Sequence, residues 1–226
     1  MRSNAYLVAM SKPAPQSVAL EARASDAARL SSPSAGRNKI VIAATLAEIL
    51  PQKGRVLEIA SGTGEHALAC VQARPDLCWT PSELDPASRA SVDAWAAHAD
   101  GRITPCLTVD VSAPDWADGV EPVDAVFCAN MIHIAPWSAA LGLFDGAARL
   151  LAPGRSLHLY GPFLEGADTA PSNIEFDSSL KQRDPRWGVR DRDAVETLAR
   201  DCGFGPAKRT VMPANNLLLS FARAGR

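Results

Sequence analysis

Apolar and polar positions change their period along this chain, and the changes mark its elements. Residues 1–34 hold no sustained pattern. They carry Pro13, Pro15 and Pro33 among many Ala and Ser, and read as a flexible or loosely docked extension with one helical stretch from Ser17 to Leu30. Ordered pattern begins at Asn38. Lys39–Leu50 is strongly apolar, rich in helix formers and halted by Pro51, which reads as a helix packed on a sheet. Short apolar runs then alternate with helical ones. Arg55–Ala60 (RVLEIA), Leu77–Pro81, Ile103–Val109, Val123–Ala129 (VDAVFCA) and Ser156–Tyr160 (SLHLY) read as strands. Glu65–Ala73, Pro86–Ala99 and Trp137–Leu151 read as helices, the last ended by Pro153-Gly154. Such a βαβα rhythm predicts a mainly parallel sheet covered by helices on both faces.

The end of the chain departs from the rhythm. A polar insertion over residues 161–190 is followed by a helix at Arg192–Cys202 and two strands, Lys208–Met212 and Leu217–Ala222. Pro213-Ala-Asn-Asn216 leaves no room for a crossover helix, so this last pair must be antiparallel neighbours. The predicted architecture is α/β: five parallel strands plus a C-terminal antiparallel hairpin, in one domain at 35–226 with a cap insertion at about 161–190. A length of 226 residues suits one such domain.

Composition narrows the partners. Apolar residues make up 47% and charged ones 21%, with a net charge of −2 from interspersed acids and bases, so no general nucleic-acid surface is expected. No apolar run approaches the roughly 20 residues of a membrane span. The opening MRSNAYLVAM is too short an apolar stretch for a secretory signal, and a cytoplasmic protein, monomer or homodimer, is expected. Cys70, Cys78, Cys106, Cys128 and Cys202 form no CxxC pair and read as small core residues in a reducing compartment. Cys128, His133 and His158 lack a metal spacing, so no metal is expected. The absence of GxSxG gives a serine hydrolase no support.

Val56-Leu-Glu-Ile-Ala-Ser-Gly-Thr-Gly64 closes the first strand of the rhythm and opens a helix. A strand that ends in a sharp turn before a helix aims backbone amides into the crevice at the strand carboxyl ends. Gly62 and Gly64 let backbone approach a ligand where a Cβ would collide. The run resembles the first motif of class I S-adenosylmethionine-dependent methyltransferases, with Ala60 where a glycine is usual. Gly62-Thr-Gly-Glu-His-Ala67 also matches the GxGxxA of dinucleotide folds, with Glu83 downstream. Its glycines, however, come two residues late for that loop, and the terminal hairpin disagrees with it. A purely structural glycine turn is the other alternative.

The methyltransferase resemblance implies a cofactor site lined by Glu58, Ala60, Ser61, Gly62, Thr63 and Gly64. In it Glu58 lies beside the cofactor's methionine end, and Glu83 accepts from the two ribose hydroxyls with Asp85 as a second candidate. Asp110, followed by Val111, accepts from the adenine amino group, and Asn130 and Met131 face the reaction centre. The bland readings are a helix cap for Asp85 and a solvated loop acid for Asp110. The resemblance narrows at Ala129-Asn-Met-Ile-His-Ile-Ala-Pro-Trp137. With Arg37-Asn38, Tyr160-Gly-Pro-Phe163, Ser172-Asn173, Phe176-Asp177, Arg183-Asp-Pro-Arg-Trp-Gly188, Arg190-Asp191 and Met212-Pro-Ala-Asn-Asn216, the chain resembles the methyltransferase-like protein 26 family (domain of unknown function 938). That kinship implies S-adenosylmethionine as cofactor, with S-adenosylhomocysteine as product, and Arg37 and Asn38 closing over it. It names no acceptor.

Methyl transfer from a sulfonium is an in-line displacement, so positioning carries most of the chemistry. A base is needed only for an acceptor protonated at neutral pH. His133 is the first candidate for that role and Tyr160 the second; packing in the cofactor pocket is the plain alternative for His133. The insertion holds Asn173, Arg183 and Trp187, which with His133 and Trp137 suggest a small polar or anionic acceptor gripped by an arginine fork against an apolar wall. Arg183 pairing within its own loop is the competing reading. The reaction class expected is small-molecule methylation. A cofactor-binding regulatory or scaffold protein without turnover, or an enzyme using the cofactor for other chemistry, are the alternatives.

Overall fold

The computed structural model describes residues 19–225. Its centre is a six-stranded sheet in the order β4-β3-β5-β6-β8-β7. β3 (Arg55–Ile59), β4 (Cys78–Pro81), β5 (Val123–Ala129) and β6 (Leu151–Pro162) run parallel. β7 (Lys208–Met212) and β8 (Asn216–Ala222) form the antiparallel terminal hairpin, with β8 against β6. Helices cover both faces, as the rhythm predicts.

Period-two alternation assigns the faces. Leu57, Ile59, Val126, Cys128, Leu157, Leu159, Leu217, Leu219 and Phe221 point to one side, where α4 (Trp137–Leu150) and α6 (Arg192–Asp201) pack through Leu143, Phe144, Val195 and Ala199. Val56, Ala125, Phe127, Tyr160 and Leu218 point to the other. That side is covered by α1 (Pro33–Ile49) and α2 (Glu65–Ala73) through Ile42, Leu46, Ala67 and Val71. Glu58 shares its register row with Phe127 and His158, so its carboxylate lies on the α1/α2 side of a buried strand.

Helix starts follow the capping chemistry. The Ser32 hydroxyl accepts from Ala35 N ahead of Pro33. Asp85 caps α3 (Pro86–Ala96) by accepting from Ser88 N at 2.7 Å, and Asp191 caps α6 through Ala194 N at 2.9 Å.

The structure departs from the pattern reading in three places. The helix expected from Ser17 to Leu30 is, over its described part, a hairpin of β1 (Ala24–Asp26) and β2 (Arg29–Ser31). Ala27 turns it at φ 54, and α1 begins at Pro33, ahead of Lys39, because Ser32 and Pro33 supply a cap and a preset φ. Ile103–Val109 is not a continuous strand. It touches β4 through two isolated parallel bridges, Trp79–Ile103 and Ser82–Leu107, and Pro105, lacking an N–H, falls between them. Hydrogen bonds from Thr104 N to Trp79 O and from Leu107 N to Pro81 O, each 2.9 Å, still hold the segment along the edge. The insertion, finally, is not a plain connector, since it carries α5 (Pro171–Arg183). Residues 19–32, assigned to the extension, are hydrogen-bonded to α2 and α3; residues 1–18 lie outside the described part.

Candidate functional site

The parallel strands end at one edge, and most of the polar side chains singled out in the sequence gather there. β3 leads into a loop of left-handed residues: Ala60 at φ 56, Gly62 at φ 60 and Gly64 at φ 93. The two glycines are needed for different reasons. A Cβ on Gly62 would meet nothing within 4 Å, whereas one on Gly64 would lie 2.8 Å from Val92 Cα of α3. Gly62 thus faces open space, and Gly64 lets α3 pack against the start of α2. Ser61 and Thr63 are buried anchors. Ser82 N donates to Ser61 Oγ at 3.2 Å, Thr63 Oγ1 donates to Glu65 Oε2 at 3.1 Å, and Ser91 Oγ donates to Thr63 O at 2.8 Å.

Glu83, just past β4, reaches into this loop. Its Oε2 accepts from Gly62 N at 2.9 Å and its Oε1 from Leu84 N at 2.8 Å. The carboxylate is half-buried and retains lone pairs for further donors.

Glu58 is 1% exposed, and Trp79 Nε1 donates to its Oε2 at 3.0 Å. Its nearest cationic candidate is His66, whose Nδ1 is 3.9 Å from Oε1. Burial pushes the Glu58 carboxyl up to about 7, and the bonds from Trp79 and Ser61 offset only part of that rise. Burial likewise takes His66 down to about 4. His66 Nε2 is 2.8 Å from Asn38 Oδ1, and Asn38 also bonds the Tyr160 hydroxyl. Glu58, His66, Asn38 and Tyr160 therefore form one polar chain across β3, α2, α1 and β6, buried on the α1/α2 side. Burial raises the Tyr160 phenol further above its usual value. His66 and Trp79 escaped the pattern reading. The signal for His66 was its place in Gly-Glu-His-Ala67, one turn past the glycines.

After β5, Asn130 adopts φ 60 and starts a 3-10 turn over Met131–His133. Among the described residues its carboxamide makes no hydrogen bond and stays half-exposed. His133 is 1% exposed. Its Nδ1 accepts from Arg190 N at 3.1 Å and its carbonyl accepts from Gly188 N at 2.9 Å. Phe163 packs edge-on at 5.2 Å. A nitrogen that accepts a backbone N–H is unprotonated, so the proton of the neutral ring sits on Nε2. Burial first, then the Arg190 guanidinium, take the ring down to about 3. Among the described residues, His133 Nε2 is the fully buried side-chain nitrogen or oxygen without a partner. A Cβ on Gly161 would lie 2.6 Å from it and 3.1 Å from Asn130 Oδ1.

A family model described as a protein of unknown function, DUF938, matches residues 29–223. The chain belongs to the DUF938 family. Solved structures similar to this DUF938 protein include methyltransferases. An O-methyltransferase family protein from Burkholderia thailandensis aligns with TM-score 0.72 at 17% identity, over 85% of this chain and 58% of its own. Human N-acetylserotonin methyltransferase, in complex with S-adenosylmethionine, aligns with TM-score 0.66 at 14% identity, over 84% and 52%. CalO1, a methyltransferase in calicheamicin biosynthesis with S-adenosylhomocysteine bound, aligns with TM-score 0.67 at 17% identity, over 84% and 54%. The chain thus spans a little over half the length of these proteins. At such identities they establish the methyltransferase fold.

Other residues of this DUF938 protein picked from sequence are committed elsewhere. Asp85 is the α3 cap, its Oδ2 taking both Ser88 N and Ser88 Oγ at 2.7 Å. Asp110 is exposed and closes its own turn by accepting from Ser112 N at 2.9 Å. Val111 is buried, its carbonyl packed on Gly142 of α4. Asn173 is buried too, donating to Phe163 O at 3.2 Å and Asn215 O at 3.0 Å. It pins α5 to the end of β6 and to the β7–β8 turn, so its amide does not face a ligand. Arg183 is exposed and donates to Leu20 O at 3.3 Å, and Arg37 pairs with Glu21 at 2.9 Å. Neither arginine projects a free fork into the crevice. Arg190 stacks on Trp137 at 5.6 Å and donates to Ile132 O and Ala135 O, fixing the turn after β5. Trp187 is half-buried beside it, in the turn that Trp187 N closes on Asp184 O. The described residues hold no cluster of metal-ligating side chains and no helix long and apolar enough to cross a membrane.

The residues present fit S-adenosylmethionine. Among the described residues, nothing lies within 4 Å of where a Cβ on Gly62 would be, the Asn130 carboxamide is unpaired, and Glu58 is a buried carboxyl without a full cation partner.

Proposed function

We propose that this chain binds S-adenosylmethionine at the carboxyl edge of its sheet and methylates a small polar molecule. The observation that carries the reading is the contact of Glu83 with Gly62 N. It joins the glycine loop and the acid after β4 into one cradle, with Asn130 opening beside it. In this reading Gly62 and its loop amides carry the methionine portion and Glu83 accepts from the ribose hydroxyls. Glu58 answers the cofactor's positive charge. When bound, the cofactor supplies an electrophilic methyl group.

The roles of the chain's own residues follow from their hydrogen bonds. His133 is no base here, because its one lone-pair nitrogen is spent on Arg190 N. Asn130, half-exposed, orients an acceptor, while His133 packs behind it against Gly161. Tyr160, held by Asn38, is the remaining group able to move a proton at its hydroxyl. Arg183 belongs to the closure of the site, not to the grip on the acceptor. The resemblance to the methyltransferase-like protein 26 family supports the same cofactor, and small, near-neutral, interspersed charge supports a small-molecule acceptor over a nucleic acid.

Titration calorimetry with S-adenosylmethionine and S-adenosylhomocysteine tests the site. Micromolar binding is expected, abolished in Gly62→Val, which places a side chain in the open space, and weakened by about 1.5–3 kcal/mol in Glu83→Ala. Unchanged binding in both variants removes the assignment. A gain of one methyl mass in a small-molecule pool incubated with protein and cofactor distinguishes turnover from a binder without chemistry.

A further inference from the structure

Residues 20–32 do not follow the nearest helix; they cross the rim of the crevice. Leu20 O accepts from Arg183 Nη1 at the end of α5. Glu21 pairs with Arg37, early in α1, at 2.9 Å. Arg23 Nη1 donates to Ser88 Oγ at 2.8 Å in the first turn of α3, beside the Asp85 cap and the Glu83 turn. The chain then reverses in the β1–β2 hairpin and returns along α3. There Leu30 N donates to Ser91 Oγ at 2.7 Å, Trp95 Nε1 donates to Leu30 O at 2.9 Å, and Arg29 lies 5.2 Å over the Trp95 ring. It enters α1 where Ser32 N donates to the buried Glu65 at 2.8 Å.

The two halves of this path are held differently. The returning half, Arg29–Ser32, bonds buried Ser91 and Glu65 and the half-buried Trp95. In the outgoing half Arg23 bonds buried Ser88 and residues 24–26 pair with β2, whereas Leu20 and Glu21 are held at the surface, by one hydrogen bond and by an ion pair with side chains 66% and 39% exposed. Contacts of that kind are each worth little and are readily exchanged with water. Ser88 lies in the turn of Asp85 and Glu83, and Arg37 precedes Asn38, which meets His66 just past the glycine loop, so a segment tied to Ser88 and Arg37 lies beside both the Glu83 turn and that loop.

We propose that residues 20–23 form a strap beside the cofactor site, hinged where the β1–β2 hairpin begins and opening for ligand exchange. The inference rests on the cofactor site described under Proposed function. It explains why Arg37 and Arg183 are turned to the strap: they are its latches. Release of Leu20, Glu21 and Arg23 frees the strap while the returning half stays on α3.

Hydrogen exchange on the full chain, with and without saturating S-adenosylhomocysteine, tests it. Slower exchange at residues 20–23, together with 58–64 and 83–85, is expected. Stopped-flow tryptophan fluorescence should show release of S-adenosylhomocysteine about tenfold faster in Glu21→Ala/Arg23→Ala than in the unmodified chain, with 58–64 still protected at saturation. Protection at 58–64 and 83–85 without any at 20–23, or an unchanged release rate in the double variant, overturns the strap and leaves the cofactor site standing. Absence of protection everywhere overturns both.

Discussion

A buried carboxyl with a raised pKa makes folding depend on pH in a direction that can be worked out in advance. Glu58 moves from an ordinary value of 4.5 to about 7 because burial disfavours its charged form. Below pH 4.5 it is protonated in the folded and unfolded chain alike, and the folded state carries no penalty. As pH rises past 4.5 the unfolded chain ionises while the folded one holds its proton. Stability is therefore lost progressively until Glu58 itself ionises near 7, and the full loss is roughly 3 kcal/mol at 1.36 kcal/mol per pH unit. Glu58→Gln keeps an acceptor for Trp79 Nε1 and removes the charge. His66, His133 and His158, all held below their ordinary values by burial, work the other way: each withdraws stability as pH falls below 6.5. The difference between Glu58→Gln and the unmodified protein cancels most of that background. In ligand-free chemical denaturation the two should be within about 1 kcal/mol of each other at pH 5. At pH 8.5 the variant should be more stable by up to about 3 kcal/mol, or roughly 6–12 °C in Tm for a domain of this size. S-adenosylmethionine, whose cationic groups answer an ionised Glu58, should bind the unmodified chain more tightly as pH rises through 7 and bind the variant without that trend. A stability gap equal at pH 5 and 8.5 would refute the argument.

Two further outcomes follow from backbone and ring geometry. Ala60 holds φ 56, a conformation that costs an L-residue with a Cβ about 1 kcal/mol, so Ala60→Gly should raise stability by about 0.5–1 kcal/mol in denaturant melts; a lower midpoint would show that the Ala60 methyl packs more than it strains. Nitrogen-15 spectra of histidine-labelled protein should show His133 as a neutral ring protonated on Nε2 with no titration between pH 5 and 8, and a ring that protonates near pH 6.5 would restore it as a base.

How much of this was legible in the sequence depends on the range of the forces involved. The strands of the parallel sheet and its terminal hairpin follow from short apolar runs and turn lengths, because burial on both faces demands continuous apolar sequence. Ala60 stood out as an alanine in a glycine position, and the left-handed φ there gives the reason a glycine is usual. Glu58, Glu83 and Asn130 reach one edge because a parallel sheet brings the ends of its strands together whatever the loops do. The misreadings share the opposite character. Residues 24–31 lack a strong period of their own, and their hairpin is held by Ser88, Ser91 and Trp95, more than sixty positions away. Ile103–Val109 has strand composition, yet Pro105 interrupts the ladder that composition suggests. Residue type tells what a guanidinium can grip, as for Arg183, and a resemblance can place one near a cofactor, as for Arg37, but neither says what arrives first: for Arg37 it is Glu21, for Arg183 the Leu20 carbonyl, and for Arg190 the carbonyls of Ile132 and Ala135. His133 shows the same limit most sharply. Its residue type allows a base, a donor or a cation, and a backbone N–H contributed from fifty-seven positions downstream selects the donor. Local pattern thus locates the cradle, while the protonation state and the closure of the site are set by partners distant in sequence.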